Sequence, residues 1–259
     1  MDIVKKSLLF VIFSFIFILH IFSQNEIPQN DAKKIVEKID ELYRAKSSYS
    51  EIKMSIITPH WERTLQMKVW TEGMEKTFIR ITHPPKEEMV GTLRIGNEMW
   101  NYLPKTNKVI KIPPSMMMSS WMGSDFTNDD LVKEITFVND FYFQMTGQQE
   151  SAKGFQDLLY VKCIPKEGRP IVWGKVIIGV RKEDYLPVIE EYYDEKGKIM
   201  RLMNFKDIRL FGDKKLPAVM EIIPQNKEGN KTVLEYIDLD FNVKVDENIF
   251  SLRNLRLEK

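Results

Sequence analysis

Residues 52–69 read IKMSIITPHWERTLQMKV. Ile52, Met54 and Ile56 alternate with Lys53 and Ser55. After a turn at Pro59-His60, Leu65, Met67 and Val69 alternate with Gln66 and Lys68. A period of two sends every second side chain to the same face of a strand, so this stretch reads as an antiparallel hairpin with one apolar face. The same alternation extends in both directions. Strands are expected at 77–82, 93–95, 99–103 and 108–112, with His83-Pro84-Pro85 ending the first. Gly96-Asn97 and Pro104-Lys105-Thr106-Asn107 supply turn chemistry between the others. In the second half, 155–164, 173–181, 187–193, 199–205, 218–223 and 232–239 read as strands, with a compact turn at Asp194-Glu195-Lys196-Gly197. The expectation is roughly ten or eleven strands in a large, curved antiparallel sheet packed on few helices.

One long helix precedes the strands. Pro28 to Asp31 open it, with Asn30 or Asp31 as N-cap, and Ser47-Ser48 end it. Ile35, Ile39 and Leu42, with Val36 and Tyr43 beside them, form one apolar stripe that must be buried against something larger. The connecting segment 113–149 is Met-rich and aromatic, with a short helix expected over 127–134 and Thr127 as its cap.

The N-terminus reads as a secretory signal. Lys5 and Lys6 precede an apolar run over 8–19, followed by Ser23 and the polar Gln24-Asn25-Glu26. The run is short for a hydrocarbon core about 30 Å thick, which favours removal of residues 1–23 over retention as an anchor. Residues 24–259 then form a single domain. With no cysteine near the cleavage point, the product is expected to be free of covalent lipid and soluble in the periplasm. The charges nearly cancel, 38 Lys+Arg against 37 Asp+Glu, and no long basic run exists, which argues against nucleic acid as a partner. Charges on both faces of the strands, at Glu190, Arg201 and Lys206, argue against a transmembrane β-barrel. The single cysteine, Cys163, lies in the apolar run 158–164 and reads as a small buried hydrophobe.

Catalytic patterns are missing. His60 and His83 each sit beside a turn, there is no HExxH or GxSxG, and Gly91 and Gly96 belong to no phosphate loop. The loop starting at Asp125 lacks the turn glycine and terminal glutamate of a calcium site. The acidic pairs Glu87-Glu88, Asp129-Asp130 and Glu190-Glu191 read as solvated faces. Neither enzyme activity nor a metal or cofactor is expected. The positive signal is apolar: 15 Phe, 14 Met and 5 Trp accompany one clear helix. In the run Met116-Met117-Met118-Ser119-Ser120-Trp121-Met122, adjacent methionines cannot all enter one core, and methionine suits variable apolar partners. The run reads either as a plug at the open end of the sheet or as a mobile gate. Met116, Met117, Met118, Trp121 and Met122, with the strand residues Met67, Val69 and Trp100, are the candidate apolar ligand site.

Several segments carry a resemblance: Pro84-Pro85 leading to Val90-Gly91-Thr92-Leu93; Met99-Trp100-Asn101-Tyr102-Leu103-Pro104; Met122-Gly123-Ser124-Asp125-Phe126-Thr127-Asn128-Asp129-Asp130-Leu131; Glu191-Tyr192-Tyr193-Asp194 with Gly197; and 246–250 followed by Leu255. Through nearly all of its mature length the chain resembles the LolA-like outer-membrane lipoprotein-sorting proteins, in particular their larger secreted relatives. The resemblance implies a curved, incomplete β-barrel of the LolA/LolB kind, with helices enclosing an apolar cavity for acyl chains. It further implies a periplasmic carrier or chaperone for lipid or lipoprotein, with an inner-membrane transporter and an outer-membrane acceptor as partners. A periplasmic lipid or envelope-stress sensor acting through protein contacts is the alternative.

Overall fold

The computed structural model describes residues 29–132, 136–169 and 171–256. Residues 1–23, expected to be a signal, lie outside the described residues. Helix α1 (Gln29–Leu42) leads into six strands, β1 (Ser47–Ile57), β2 (Glu62–Glu72), β3 (Lys76–His83), β4 (Gly91–Ile95), β5 (Glu98–Leu103) and β6 (Lys108–Lys111). A strap over 112–140 carries two short helices, α2 (Asn128–Val132) and α3 (Phe137–Asp140). Seven strands follow: β7 (Phe141–Thr146), β8 (Leu158–Pro165), β9 (Lys175–Arg181), β10 (Pro187–Tyr193), β11 (Ile199–Phe211), β12 (Lys214–Pro224) and β13 (Lys231–Phe241). Helix α4 (Leu252–Arg256) ends the described chain.

All thirteen described strands join in one antiparallel sheet, ordered β6-β5-β4-β3-β2-β1-β13-β12-β11-β10-β9-β8-β7. The first and last strands therefore meet in the middle, and β6 and β7 are left as the two edges. The sheet is open, not closed into a barrel. Register irregularities at Glu51/Ile52, Gln66/Met67, Pro187/Ile189 and Tyr192/Tyr193 supply the local bending and extra twist that curve it.

The inner face is continuous. Met54 pairs with Leu65 on one side and Leu234 on the other, and the same parity runs through Met220 and Met203 to Glu190, Ile178, Val161 and Met145. Two covers lie on that face. Helix α1 presses Ala32, Ile35 and Val36 onto Phe141, Val161, Cys163, Val176, Ile178 and Tyr192. The strap sets Trp121, Met117, Met122 and Phe126 on Ile52, Met54, Leu65, Met67, Val69, Ile79 and Ile81. Asp40 joins the two covers by accepting from the amides of Phe137 and Val138, both at 2.9 Å, at the start of α3. Burial pushes the Cys163 thiol well above its ordinary range, as an inert core residue requires.

The outer face is covered at one end. Val245, Ile249, Phe250 and Leu255 of the C-terminal segment pack on Trp70, Phe78, Leu93, Trp100 and Tyr102. Arg80 holds α4 there, donating to the carbonyls of Asn254 and Leu255 at 2.9 and 3.1 Å. Gly91 leaves room for this contact: a Cβ there would meet the ends of the Leu255 and Arg80 side chains at 2.8 and 2.9 Å, and both would have to shift.

Some expectations need correcting. There are thirteen described strands, not ten or eleven: each of the twelve segments read as strands overlaps one, and Phe141–Thr146, expected inside the connecting segment, pairs with Leu158–Pro165 as an edge strand. Asn30 and Asp31 lie inside α1, and Ser47-Ser48 belong to β1, not to the end of the helix. The pair Glu190-Glu191 is not a solvated face: both residues are buried, Glu190 under α1 on the inner face and Glu191 on the outer.

Candidate functional site: a strapped apolar interior with a cavity at its mouth

The strap is braced internally. Trp121 N–H donates to the Phe126 carbonyl at 2.8 Å, and Asn128 N–H to Ser119 at 3.0 Å. Met122 and Gly123, with φ of 52° and 75°, make the turn between them. Thr127 caps α2 as expected, accepting from Asp130 N–H at 3.0 Å, and the Asp130 carboxylate accepts from Thr127 N–H at 2.9 Å. That reciprocal pair is a capping box, and it uses the Asp130 that the sequence placed in a solvated pair.

Polar ties fasten the strap to the inner face. The Trp121 indole N–H donates to Thr92 Oγ1 at 3.2 Å, and Thr92 donates to Asn101 at 2.7 Å. Arg63 donates to the Met122 carbonyl and, at 2.8 Å, to Glu87. Asp125 N–H donates to Thr232 Oγ1 at 2.9 Å, and that hydroxyl donates back to the Asp125 carboxylate at 2.8 Å. Arg201 on β11 donates to both Asp130 oxygens, at 3.0 and 3.1 Å.

Beside the last of these ties opens a cavity of about 500 Å³. Its walls are Met118 and Asp130 from the strap, Phe137 and Phe141 from the α3–β7 corner, Val172 and Trp173, and Tyr192, Met200 and Arg201 from β10 and β11. Asp125, Thr127, Asp129, Asp194, Pro224, Asn226 and Lys227 complete the lining, so an apolar wall is interleaved with polar and charged groups, both features of a small-molecule site. The Arg201 guanidinium lies between the rings of Tyr192 and Trp173, at 4.3 and 4.8 Å from their centroids. Tyr192 donates its hydroxyl proton to Glu190.

Burial raises the Glu190 carboxyl above the ordinary carboxylate range, against the opposing pull of the Tyr192 hydroxyl and the Arg201 charge. A raised carboxyl binds its proton more tightly in the folded than in the unfolded chain. Its contribution to stability is therefore fully present below about pH 4 and declines as pH rises through the folded value. Glu190→Gln keeps an acceptor for Tyr192 and removes the titration. The expected result is that the stability of the native chain falls relative to Glu190→Gln between pH 4 and neutrality. Parallel denaturation profiles across that range would contradict it.

The structure brings most of the sequence-derived candidates together. Met67, Val69, Met117, Trp121 and Met122 share one cluster beneath the strap, and Trp121 is only 3% exposed. Met118 lines the cavity but is itself 52% exposed, and Met116 is 48% exposed. Trp100 does not join them: it faces outward, in the cluster under the C-terminal segment, with the Lys111 ammonium 5.5 Å from its ring centroid. Sequence reasoning missed Arg201, Trp173, Tyr192 and Glu190. The available signal was parity, because Arg201 falls at an inward position on a strand whose inward neighbours are apolar.

An open antiparallel sheet wrapped around a helix and a strap is the LolA-type fold. A family model described as that of an uncharacterized protein matches residues 73–257. The chain belongs to that family, and its fold is LolA-like. Among solved structures it is similar to a DUF1329 family protein from Desulfovibrio piger, with a TM-score of 0.75 and 22% identity over 88% of this chain and 99% of that one. A domain from Vibrio parahaemolyticus described as an outer membrane lipoprotein-sorting protein gives 0.71 and 21%, over 88% and 100%. A LolA superfamily protein from Nitrosomonas europaea gives 0.68 and 21%, over 86% and 98%. Among curated proteins nothing matches. No described helix is long and apolar enough to cross a membrane, and no described cluster of His, Cys, Asp and Glu has the makings of a metal site.

Proposed function

We propose that the protein is a periplasmic carrier that takes the acyl chain of a lipid or lipoprotein into the inner face of its sheet, for transfer toward the outer membrane. The reading includes removal of residues 1–23 and function of residues 24–259 as one binding domain without catalytic turnover. An inner-membrane transporter would load it and an outer-membrane acceptor would unload it. The observation that carries the reading is the 500 Å³ cavity, which opens at the edge of a strap that packs a buried Trp121 and the half-buried Met117, Met122 and Phe126 on the sheet. An acyl chain entering there would extend the contact already made by the strap, and flexible methionines can yield to it. Each methylene removed from water is worth about 0.8 kcal/mol. A chain of ordinary length thus gains on the order of 10 kcal/mol gross, before the costs of ordering and of displaced strap contacts.

Delipidated protein is expected to bind a fluorescent fatty acid saturably at one site, and unlabelled fatty acid should displace it. Native mass spectrometry of protein purified without detergent should show bound acyl lipid. Absence of both saturable binding and co-purified lipid would overturn the carrier reading.

A further inference from the structure

Arg201 is the least expected group in the cavity wall. It is nine-tenths buried, and its side chain reaches the apolar lining between two aromatic rings. One guanidinium nitrogen holds both Asp130 oxygens, while the buried Nε has no hydrogen-bond partner. An arginine fork normally binds a carboxylate through two nitrogens. Asp130 instead loads a single nitrogen, Nη1, and its Oδ2 also accepts from the Thr127 amide and hydroxyl at 2.9 and 3.0 Å. Two neighbouring acids of the lining are engaged elsewhere. Asp125 is held by Thr232, with Lys227 at 3.9 Å, and Asp194 accepts the turn amides of Lys196 and Lys198. Arg201 and Lys227 are the cations of the lining; Lys227 lies half-exposed beside Asp125, which leaves the guanidinium as the buried one, with its Nε unpaired.

The geometry points to Arg201 as the head-group site for an amphiphile with an anionic head, a carboxylate or a phosphate monoester. Its chain would lie along Phe137, Phe141 and Met118, and its head would compete with Asp130 for the guanidinium. This rests on the carrier reading and deepens it. The apolar wall supplies affinity for any chain, and Arg201 selects by head. Because Asp130 belongs to the strap and Arg201 to the sheet, an anion that takes over the guanidinium also unfastens one of the ties that hold the strap. Ligand arrival and strap release become the same event.

The test compares oleate, dodecyl phosphate, the neutral methyl oleate and the chainless anion acetate, each competing with a fluorescent acyl probe on the full chain. Oleate and dodecyl phosphate are expected to bind at least tenfold more tightly than methyl oleate, with no competition from millimolar acetate. Asp130→Asn, which removes the competing charge, should raise oleate affinity severalfold. Arg201→Gln should bring the ratio of oleate to methyl oleate close to one. Equal binding of oleate and its ester by the native chain, or a ratio unchanged in Arg201→Gln, overturns the head-group site but leaves the carrier reading standing. If no chain-bearing compound binds, both readings fail. Should Arg201→Gln not fold, the ligand ratio of the native chain and the effect of Asp130→Asn still decide. Competition by acetate alone would assign Arg201 to small anions and overturn the amphiphile.

Discussion

Replacing Glu191 by alanine is expected to destabilise the protein by on the order of 3–5 kcal/mol. The carboxylate is fully buried on the outer face. It accepts four hydrogen bonds, from Ser151 Oγ at 2.8 Å, Ala152 N–H at 2.7 Å, Lys153 N–H at 2.9 Å and Tyr193 Oη at 2.6 Å. Three of those donors come from the loop between β7 and β8, which lies over β10, and the fourth is Tyr193 on β10 itself. Alanine would leave the Lys153 amide without a partner and the Ala152 amide with only the Tyr193 hydroxyl, at 3.2 Å, and remove the charge that gathers them. The loss should show as a fall in the denaturant midpoint, with faster amide exchange confined to residues 151–154. Glu191→Gln retains acceptor capacity on one oxygen and should lose distinctly less. A loss below about 1 kcal/mol for the alanine variant would mean that the loop satisfies its amides from water.

The second large effect belongs to Trp121. Its ring fills the cluster between β1–β3 and the strap, and its indole N–H ties the strap to Thr92. Trp121→Ala should lower stability by about 3–5 kcal/mol, the range for removing a buried aromatic side chain. Trp121→Phe keeps most of the volume and loses the hydrogen bond, at about 1 kcal/mol. If the strap gates the cavity, the phenylalanine variant should also release a bound acyl probe several times faster than the native chain, although it folds nearly as well. A lower midpoint with unchanged release would make Trp121 a static core residue and exclude it from any gate.

The strands were legible because each of the clearest ones has one wet face. In β1 and β2 the polar side chains mark the parity, and the hairpin at Pro59-His60 follows from it. Phe141–Thr146 escaped because Phe, Tyr, Phe and Met follow one another with only one strongly polar residue among them, so neither period shows. Its neighbours in the Met-rich linker made it look like more of the same. Parity also gave Glu190 and Glu191 opposite faces, correctly, yet both faces are roofed at that point: by α1 inside and by the β7–β8 loop outside. Covering of this kind comes from chain segments 40 to 150 positions away and leaves no trace in the local pattern. Trp100 shows the same limit. Its parity sets it opposite Met99, but which of the two faces bounds the strap-covered interior depends on where the strap and the C-terminal segment land. Arg201 was visible as a charge on a strand, whereas its place beside Asp130 depends on the pairing of Tyr192 with Arg201 and on the path of the strap.

The meeting of β1 and β13 at the centre of the sheet sets the order in which the protein can be assembled. Strands β1–β6 and β7–β13 are each a meander of neighbours, so either half can form from contacts close in sequence, the quick kind. The seam between them joins the extremes of the domain: Ser47 donates to the carbonyl of Val243, 196 positions later. Closing a loop of that length costs about 3 kcal/mol more than closing a five-residue hairpin. A chain emerging N-terminus first therefore carries an unpaired β1 edge, with Ile52, Met54 and Ile56 beside it, until almost its last strand has arrived. During that interval β1 is an open template for any other strand. A newly made molecule would be most vulnerable to mispairing at what becomes the central seam of the finished sheet, which makes a holding chaperone more useful to this fold during its birth than at any later time.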